Sequence, residues 1–107
     1  MQINPKVCNI DKMRIDVSFP ARLRGVDASG ETFEVTAFAD NLSKEEVYLR
    51  LPRALQPSTK VYAVIRFSDR PSSPCARLAV SGFVIRTEPR QDGSFGTAIA
   101  IEGHRFI

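Results

Sequence analysis

Apolar and polar residues alternate through the stretch from Thr32 to Leu51. On either side of a polar connection, residues 40–46, apolar side chains fall on every second position. A period of two places one apolar face on each flanking segment, which is the pattern of half-buried β-strands. The stretch therefore predicts two strands joined by a solvent-facing turn. The alternating apolar residues are Phe33, Val35, Ala37, Ala39, Val47, Leu49 and Leu51.

A helix is the competing interpretation of the second half of this stretch. Ser43 and Glu46 have the spacing of a capping box. The residues that would share one helical face are Val47, Leu51, Ala54 and Leu55. Pro52 argues against the helix, because it would lie inside it without an N–H and with a steric clash that costs about 3 kcal/mol. The strand is the prediction.

The clearest strand covers residues 14–24, where five apolar side chains alternate with polar ones. Pro20 lies within it and has no N–H to donate, so we expect a strand edge, a bulge or a bend there. A turn should follow at residues 25–30. Residues 1–11 have mixed polarity and are expected to form an irregular leader. The alternating apolar residues are Ile15, Val17, Phe19, Ala21 and Leu23.

Three further strands are predicted in the second half of the chain. They cover Lys60 to Ser68, Ala76 to Thr87 and Ser94 to Glu102, with turns rich in proline, glycine and serine between them. The apolar phase becomes ambiguous at Gly82, which predicts a β-bulge or a strand covered on both faces. Six strands without a confident helix indicate an all-β sandwich or a small barrel. Closure into a barrel would remove the exposed strand edges.

The composition is that of one globular domain without a membrane segment. No apolar run approaches the roughly 18 residues that span a bilayer, and the first residues lack the apolar block of a signal peptide. We therefore expect a cytoplasmic protein with no membrane insertion. Cys8 and Cys75 are too few for a metal site and are expected to be free thiols.

The net charge of +3 is unevenly distributed. Arg14, Arg22 and Arg24 belong to a basic N-terminal segment that could bind phosphates. A nucleic-acid-binding barrel would also need outward-facing aromatic side chains for base stacking. Because the sequence offers few of these, nucleic acid is the less favoured partner. The aromatic candidates are Tyr48, Tyr62 and Phe38.

Catalysis has little support in this sequence. His104 is the only histidine, and no carboxylate or nucleophile partner for it can be identified. No glycine-rich phosphate loop, zinc-ligand cluster or nucleophile elbow occurs. The chain is expected to be neither an enzyme nor a metal or cofactor protein.

Several segments together resemble the PilZ family. They are the strand sequence VSFPARLRG at residues 17–25, the pair Asn41-x-Ser43, the segment from Leu55 to Val61, and Val84-Ile85-Arg86. The resemblance covers about residues 10–105. It implies a single six-stranded antiparallel β-barrel over residues 12–107, and cyclic di-GMP as a ligand, since many members bind it.

The ligand motifs of the family are incomplete here. Of the R-x-x-x-R motif, Arg14 matches the second arginine, while Ile10 occupies the first position and Lys12 lies nearby but out of frame. Of the [D/N]-x-S-x-x-G motif, Asn41 and Ser43 match. Glu46 stands where the glycine belongs. The resemblance implies Lys12, Arg14, Asn41 and Ser43 as ligand-binding residues.

These departures predict weak or lost nucleotide binding. Ile10 removes a planar cation, and Glu46 replaces a glycine whose position can require positive φ or close approach of the ligand. Asp40, Glu45 and Glu46 would form an acidic turn that repels a dianionic nucleotide. The expected function is a regulatory module in cyclic-di-GMP-linked signalling. A protein–protein adaptor that binds no nucleotide is the open alternative, and a protein partner is expected in either case.

Overall fold

The computed structural model describes residues 18–68 and 75–107, which form six β-strands. Within those ranges there is no helix, and therefore none that could cross a membrane. The number of strands and the all-β class are as predicted. The strands are β1 Phe19–Val26, β2 Thr32–Leu42, β3 Glu46–Leu51, β4 Lys60–Arg66, β5 Arg77–Pro89 and β6 Phe95–Phe106.

The six strands close into an antiparallel barrel in the order β1-β2-β3-β6-β5-β4. Strand β1 closes the barrel, because this strand pairs with β2 on one side and with β4 on the other. Arg24, for example, lies opposite Glu34 on β2 and opposite Tyr62 on β4. The predicted six-stranded barrel is confirmed, and a sandwich is excluded.

Strand β3 resolves the choice between helix and strand after Ser43. Its residues are extended, and Pro52 follows directly after its last residue. Strand β2 continues to Leu42, so the connection to β3 is shorter than predicted. The register shifts between Ala39 and Asn41, which leaves Asp40 in a β-bulge. A bulge changes the direction of the side chain it carries, and this one affects the candidate site.

Proline and glycine occupy the positions where the strand ladders are interrupted. Pro20 lies opposite Phe38 on β2, but the ladder from β1 to β4 begins only at the next residue. The missing N–H of Pro20 is therefore tolerated at this end of the strand. The predicted bulge at Gly82 is confirmed by a register shift. A Cβ atom at Gly82 would lie 2.0 Å from the carbonyl oxygen of Ala100, so a side chain does not fit there.

The apolar side chains of the alternating pattern fill the interior of the barrel. Apolar side chains on all six strands point inward and form one buried core, which the edge-to-face pair Phe19–Phe67 flanks with ring centroids 5.0 Å apart. Burial of each large side chain contributes about 1.5–3 kcal/mol. The largest fully buried apolar side chains are Leu23, Val47, Leu49, Leu51, Val61, Ile65, Leu78, Val84 and Ile99.

One sequence-based expectation is wrong, and others lie outside the described residues. Cys75 is disulfide-bonded, which corrects the prediction of a free thiol. The pattern failed here because two cysteines far apart in sequence do not reveal whether the fold brings a thiol to a partner. The expected leader, residues 1–11, lies outside the described residues, as do Lys12 and Arg14.

Candidate functional site

Asn41 and Ser43 lie together at the turn between β2 and β3. With Glu46 and Tyr48 they line a shallow surface depression of about 180 Å³. Asn41 follows the bulge at Asp40 and is exposed, and Ser43 opens the turn. No described residue forms a hydrogen bond with the side-chain amide of Asn41, which carries both donors and an acceptor. The fold thus places the two motif residues beside each other.

The Ser43 hydroxyl is already engaged in its own turn. It accepts hydrogen bonds from the backbone N–H groups of Glu46 at 3.1 Å and Glu45 at 3.3 Å. The Ser43 backbone N–H donates to the Glu46 carbonyl at 2.8 Å. Serine side chains commonly stabilise turns in this way. Ser43 therefore stabilises the turn, and Asn41 is the motif residue whose side chain remains able to bond with a ligand.

Glu46, at the glycine position of the motif, has an ordinary backbone conformation. Among the described residues, the non-glycine residues with positive φ are Ser58 and Cys75. The conformational reason for glycine thus does not apply at Glu46. What Glu46 adds is a carboxylate, and Arg86 Nη2 lies 3.5 Å from its Oε1.

The three acids around the turn do not form the expected unpaired acidic cluster. The Asp40 carboxylate accepts a hydrogen bond of 2.6 Å from Arg50 Nε and another from the Ser18 hydroxyl. Arg50 also lies over the Phe38 ring, 5.2 Å from its centroid. With Glu46 paired to Arg86, Glu45 is the one acid of the three without a cation among the described residues. Repulsion of an anionic ligand is correspondingly weaker than the sequence predicts.

Tyr48 forms the aromatic wall of the depression. Its hydroxyl donates to Glu88 Oε1 at 3.1 Å and accepts from Arg90 Nη1 at 3.5 Å, and this contact raises the pKa of Arg90. The ring passes over Gly96 on β6, where an added Cβ would lie 1.6 Å from the Tyr48 hydroxyl oxygen. Three strands, β3, β6 and β5, thus fix the position of Tyr48.

The sequence interpretation missed Arg86 and Arg90 as neighbours of the site. They lie on β5 and in the turn after it, 45 and 49 residues along the chain from Asn41. They reach the site because β6 lies between β3 and β5, which aligns Tyr48 with Ala98 and Ala98 with Arg86. The segment Val84-Ile85-Arg86 did stand out in the sequence, but the sequence does not show which strand lies next to it.

The side chains around this depression are suited to contact an anionic ligand. Its cations, Arg86 and Arg90, contact residues that line the depression, and guanidinium groups form strong bidentate bonds with phosphate. No group of three or more potential metal ligands occurs among the described residues. The His104 ring lies exposed near the end of β6, and no described residue forms a hydrogen bond with it.

Comparison with known proteins found no match to this chain among protein-family models, curated proteins or solved structures.

Proposed function

We propose that this barrel is a PilZ-like regulatory module in cyclic-di-GMP-linked signalling that binds the nucleotide weakly at the Asn41–Ser43 depression. One observation carries the proposal. The exposed amide of Asn41, without a hydrogen bond to any described residue, lines a depression together with Glu46 and Tyr48, whose side chains contact Arg86 and Arg90. An amide can pair with the edge of a base, and the arginines can pair with phosphates. Lys12 and Arg14, from the N-terminal segment, are the further cations of the proposed site.

The weakness of binding follows from competition within the site. Arg86 is paired with Glu46, and Arg90 contacts Tyr48, whose hydroxyl is bonded to Glu88. A phosphate that recruits either guanidinium has to displace these contacts. Exposed ion pairs contribute only about 0–1 kcal/mol, so displacement lowers the affinity without abolishing it.

Isothermal titration of cyclic di-GMP tests this proposal. Asn41→Ala should weaken binding about threefold to tenfold, as expected for the loss of a neutral hydrogen bond. Arg14→Ala should weaken it at least tenfold, because a charged hydrogen bond is lost. Glu46→Gly should strengthen it, because Arg86 is released and a negative charge is removed. Gln56→Ala, which removes an exposed amide from a loop distant in sequence, is the matched control and should bind like the wild type.

Absence of binding heat up to millimolar nucleotide, in folded wild-type protein and in folded Glu46→Gly, would contradict nucleotide binding. It would leave the adaptor function, in which the barrel contacts a protein partner directly. Binding that Asn41→Ala and Gln56→Ala leave equally strong would contradict the site while retaining the ligand.

A cytoplasmic location belongs to this proposal, because cyclic di-GMP-linked signalling is intracellular. The disulfide at Cys75 argues the other way, since disulfides are uncommon in reducing compartments. Alkylation of thiols in intact cells, before lysis, distinguishes the two. Modified Cys75 would support the cytoplasm, and Cys75 that reacts only after reduction would contradict it.

A further inference from the structure

A second, larger groove lies on the outer face of β1, β4, β5 and β6. Its volume is about 710 Å³, and its lining residues come from these four strands and, at Glu34, from β2. The floor is made of small residues, Val64, Ala79, Ser81 and Gly103. At Gly103 an added Cβ would lie only 3.2 Å from the Ser81 hydroxyl oxygen, so glycine keeps the floor low.

Two rows of aligned residues cross this groove. Arg24 lies opposite Tyr62, which lies opposite Ser81 and then Gly103. In the next row Arg22, Val64, Ala79 and Arg105 are aligned in the same way. Arg22 and Arg105 therefore lie at opposite ends of this row, three strand spacings apart around the barrel. Cations therefore flank a floor of small side chains on both sides.

The charge of the groove is predominantly positive. The acid among its lining residues is Glu34, whose Oε1 lies 3.2 Å from Arg22 Nε. Both side chains of this pair are more than half exposed, at 73% and 55%, so their attraction is weak. In the described part of the chain, no acid lies within ion-pair distance of Arg24 or Arg105. The groove continues past Val64 into a depression that Arg66 and Arg77 also line.

Tyr62 supplies the second requirement of a nucleic-acid surface. Its side chain is 48% exposed and lies between the arginines of β1 and the floor. A base can stack on an exposed tyrosine ring, whatever its identity, because every base has a π-face. The carboxylates of an acidic peptide would pair with the arginines, but such a peptide has no base to stack on the Tyr62 ring.

We propose that this groove binds single-stranded nucleic acid. Arg22, Arg24 and Arg105 contact phosphates, and Tyr62 stacks on a base above the floor of small side chains. The groove is separate from the Asn41–Ser43 depression and shares no lining residue with it. The two binding activities are therefore independently testable.

Fluorescence anisotropy with labelled oligothymidylate of about 15 nucleotides tests the proposal. Three phosphate contacts on a single strand predict that log K falls against log salt with a slope of about −2. Arg24→Ala and Arg105→Ala should each weaken binding about tenfold and reduce the slope by about 0.7. Lys44→Ala removes one positive charge from the β2–β3 turn and should leave the binding unchanged.

The Tyr62 variants separate stacking from charge. Tyr62→Ala should weaken binding about fivefold to a hundredfold, whereas Tyr62→Phe, which keeps the ring, should bind like the wild type. Unaltered thermal unfolding midpoints establish that each variant is folded. Equal binding by Tyr62→Ala and Tyr62→Phe, or equal competition by polyglutamate of the same length, would overturn the proposal. Either result would make the groove a general site for acidic chains. No binding at low salt would also overturn it.

Discussion

At the scale of single residues, aspartates stabilise the turns that join the strands. The Asp27 carboxylate accepts hydrogen bonds from the Ser29 hydroxyl at 2.6 Å and from the N–H groups of Ser29 and Glu31, each at 3.0 Å. The hydroxyl bond is the main reason that the pKa of Asp27 is lowered. Asp92 accepts equivalent bonds from Ser94, and its pKa is lowered for the same reason. The ionised carboxylate is therefore the form that stabilises both turns better.

The Asp27 turn should make part of the stability of the barrel depend on pH. Because its pKa is lower in the folded state, the ionised carboxylate stabilises the fold above the ordinary value of 3.8. That contribution is lost as the pH falls through the lowered value. Asp27→Asn should thus lower the urea midpoint at pH 7, and the difference from wild type should shrink below about pH 4. Asp92→Asn should behave alike; a difference that is constant with pH would contradict the argument.

At the scale of elements, the packing of Tyr48 over Gly96 links β3 to β5 across β6. Gly96→Ala should push the ring away, because the added Cβ would lie 1.6 Å from its hydroxyl oxygen. The bonds of Tyr48 to Glu88 and Arg90 would then be lost, at a cost of about 1–2 kcal/mol in the free energy of unfolding. Urea denaturation of Gly96→Ala measures this cost.

A double variant checks that the clash with Tyr48 is the cause. In Tyr48→Ala the ring is absent, so adding Gly96→Ala to it should cost much less than Gly96→Ala costs alone. Equal costs in the two backgrounds would place the effect in the backbone of β6 instead.

Alternation along the chain predicts strands β1 to β4 and their inward faces, but not which strands lie next to each other. Ala21, Leu23 and Leu49 are buried as the period of two indicates, and Arg22 and Arg24 point outward. The pairing of β6 with both β3 and β5 depends on contacts between distant residues, which local patterns do not encode. For that reason Asn41 could be proposed as a site residue from its motif, whereas neither Arg86 and Arg90 beside the depression nor Arg105 in the second groove could be placed.

Predictions from local sequence were also wrong for side chains whose environment is set by tertiary contacts. Asp40 reads as part of a solvated turn, yet its bulge directs it to Arg50, and both side chains are only about a quarter exposed, at 23% and 27%. Cys75 reads as a free thiol, yet it is disulfide-bonded. In both cases the outcome depends on a tertiary contact that the local sequence pattern does not encode.

At the scale of the whole molecule, one core shared by all six strands should make unfolding cooperative. Leu49 is fully buried at the centre of β3, whereas Val26, at the end of β1, is 51% exposed. Leu49→Ala should lower the free energy of unfolding by about 2–5 kcal/mol, and Val26→Ala should change it by less than about 1 kcal/mol. Both variants should unfold in a single transition by circular dichroism and by fluorescence. Separate transitions would show that part of the barrel unfolds independently.

The place of β6 in the barrel has a consequence for synthesis. Strands β1 to β5 alone can pair only as an open sheet in the order β3-β2-β1-β4-β5, and β6 fills the gap between the two outer strands. Until residues 95–106 leave the ribosome, the nascent chain carries two unpaired edges and an uncovered apolar face. Such edges recruit other chains. The interval before β6 emerges is therefore when the chain is most exposed to aggregation, and a chain truncated before Phe95 should form an aggregation-prone sheet.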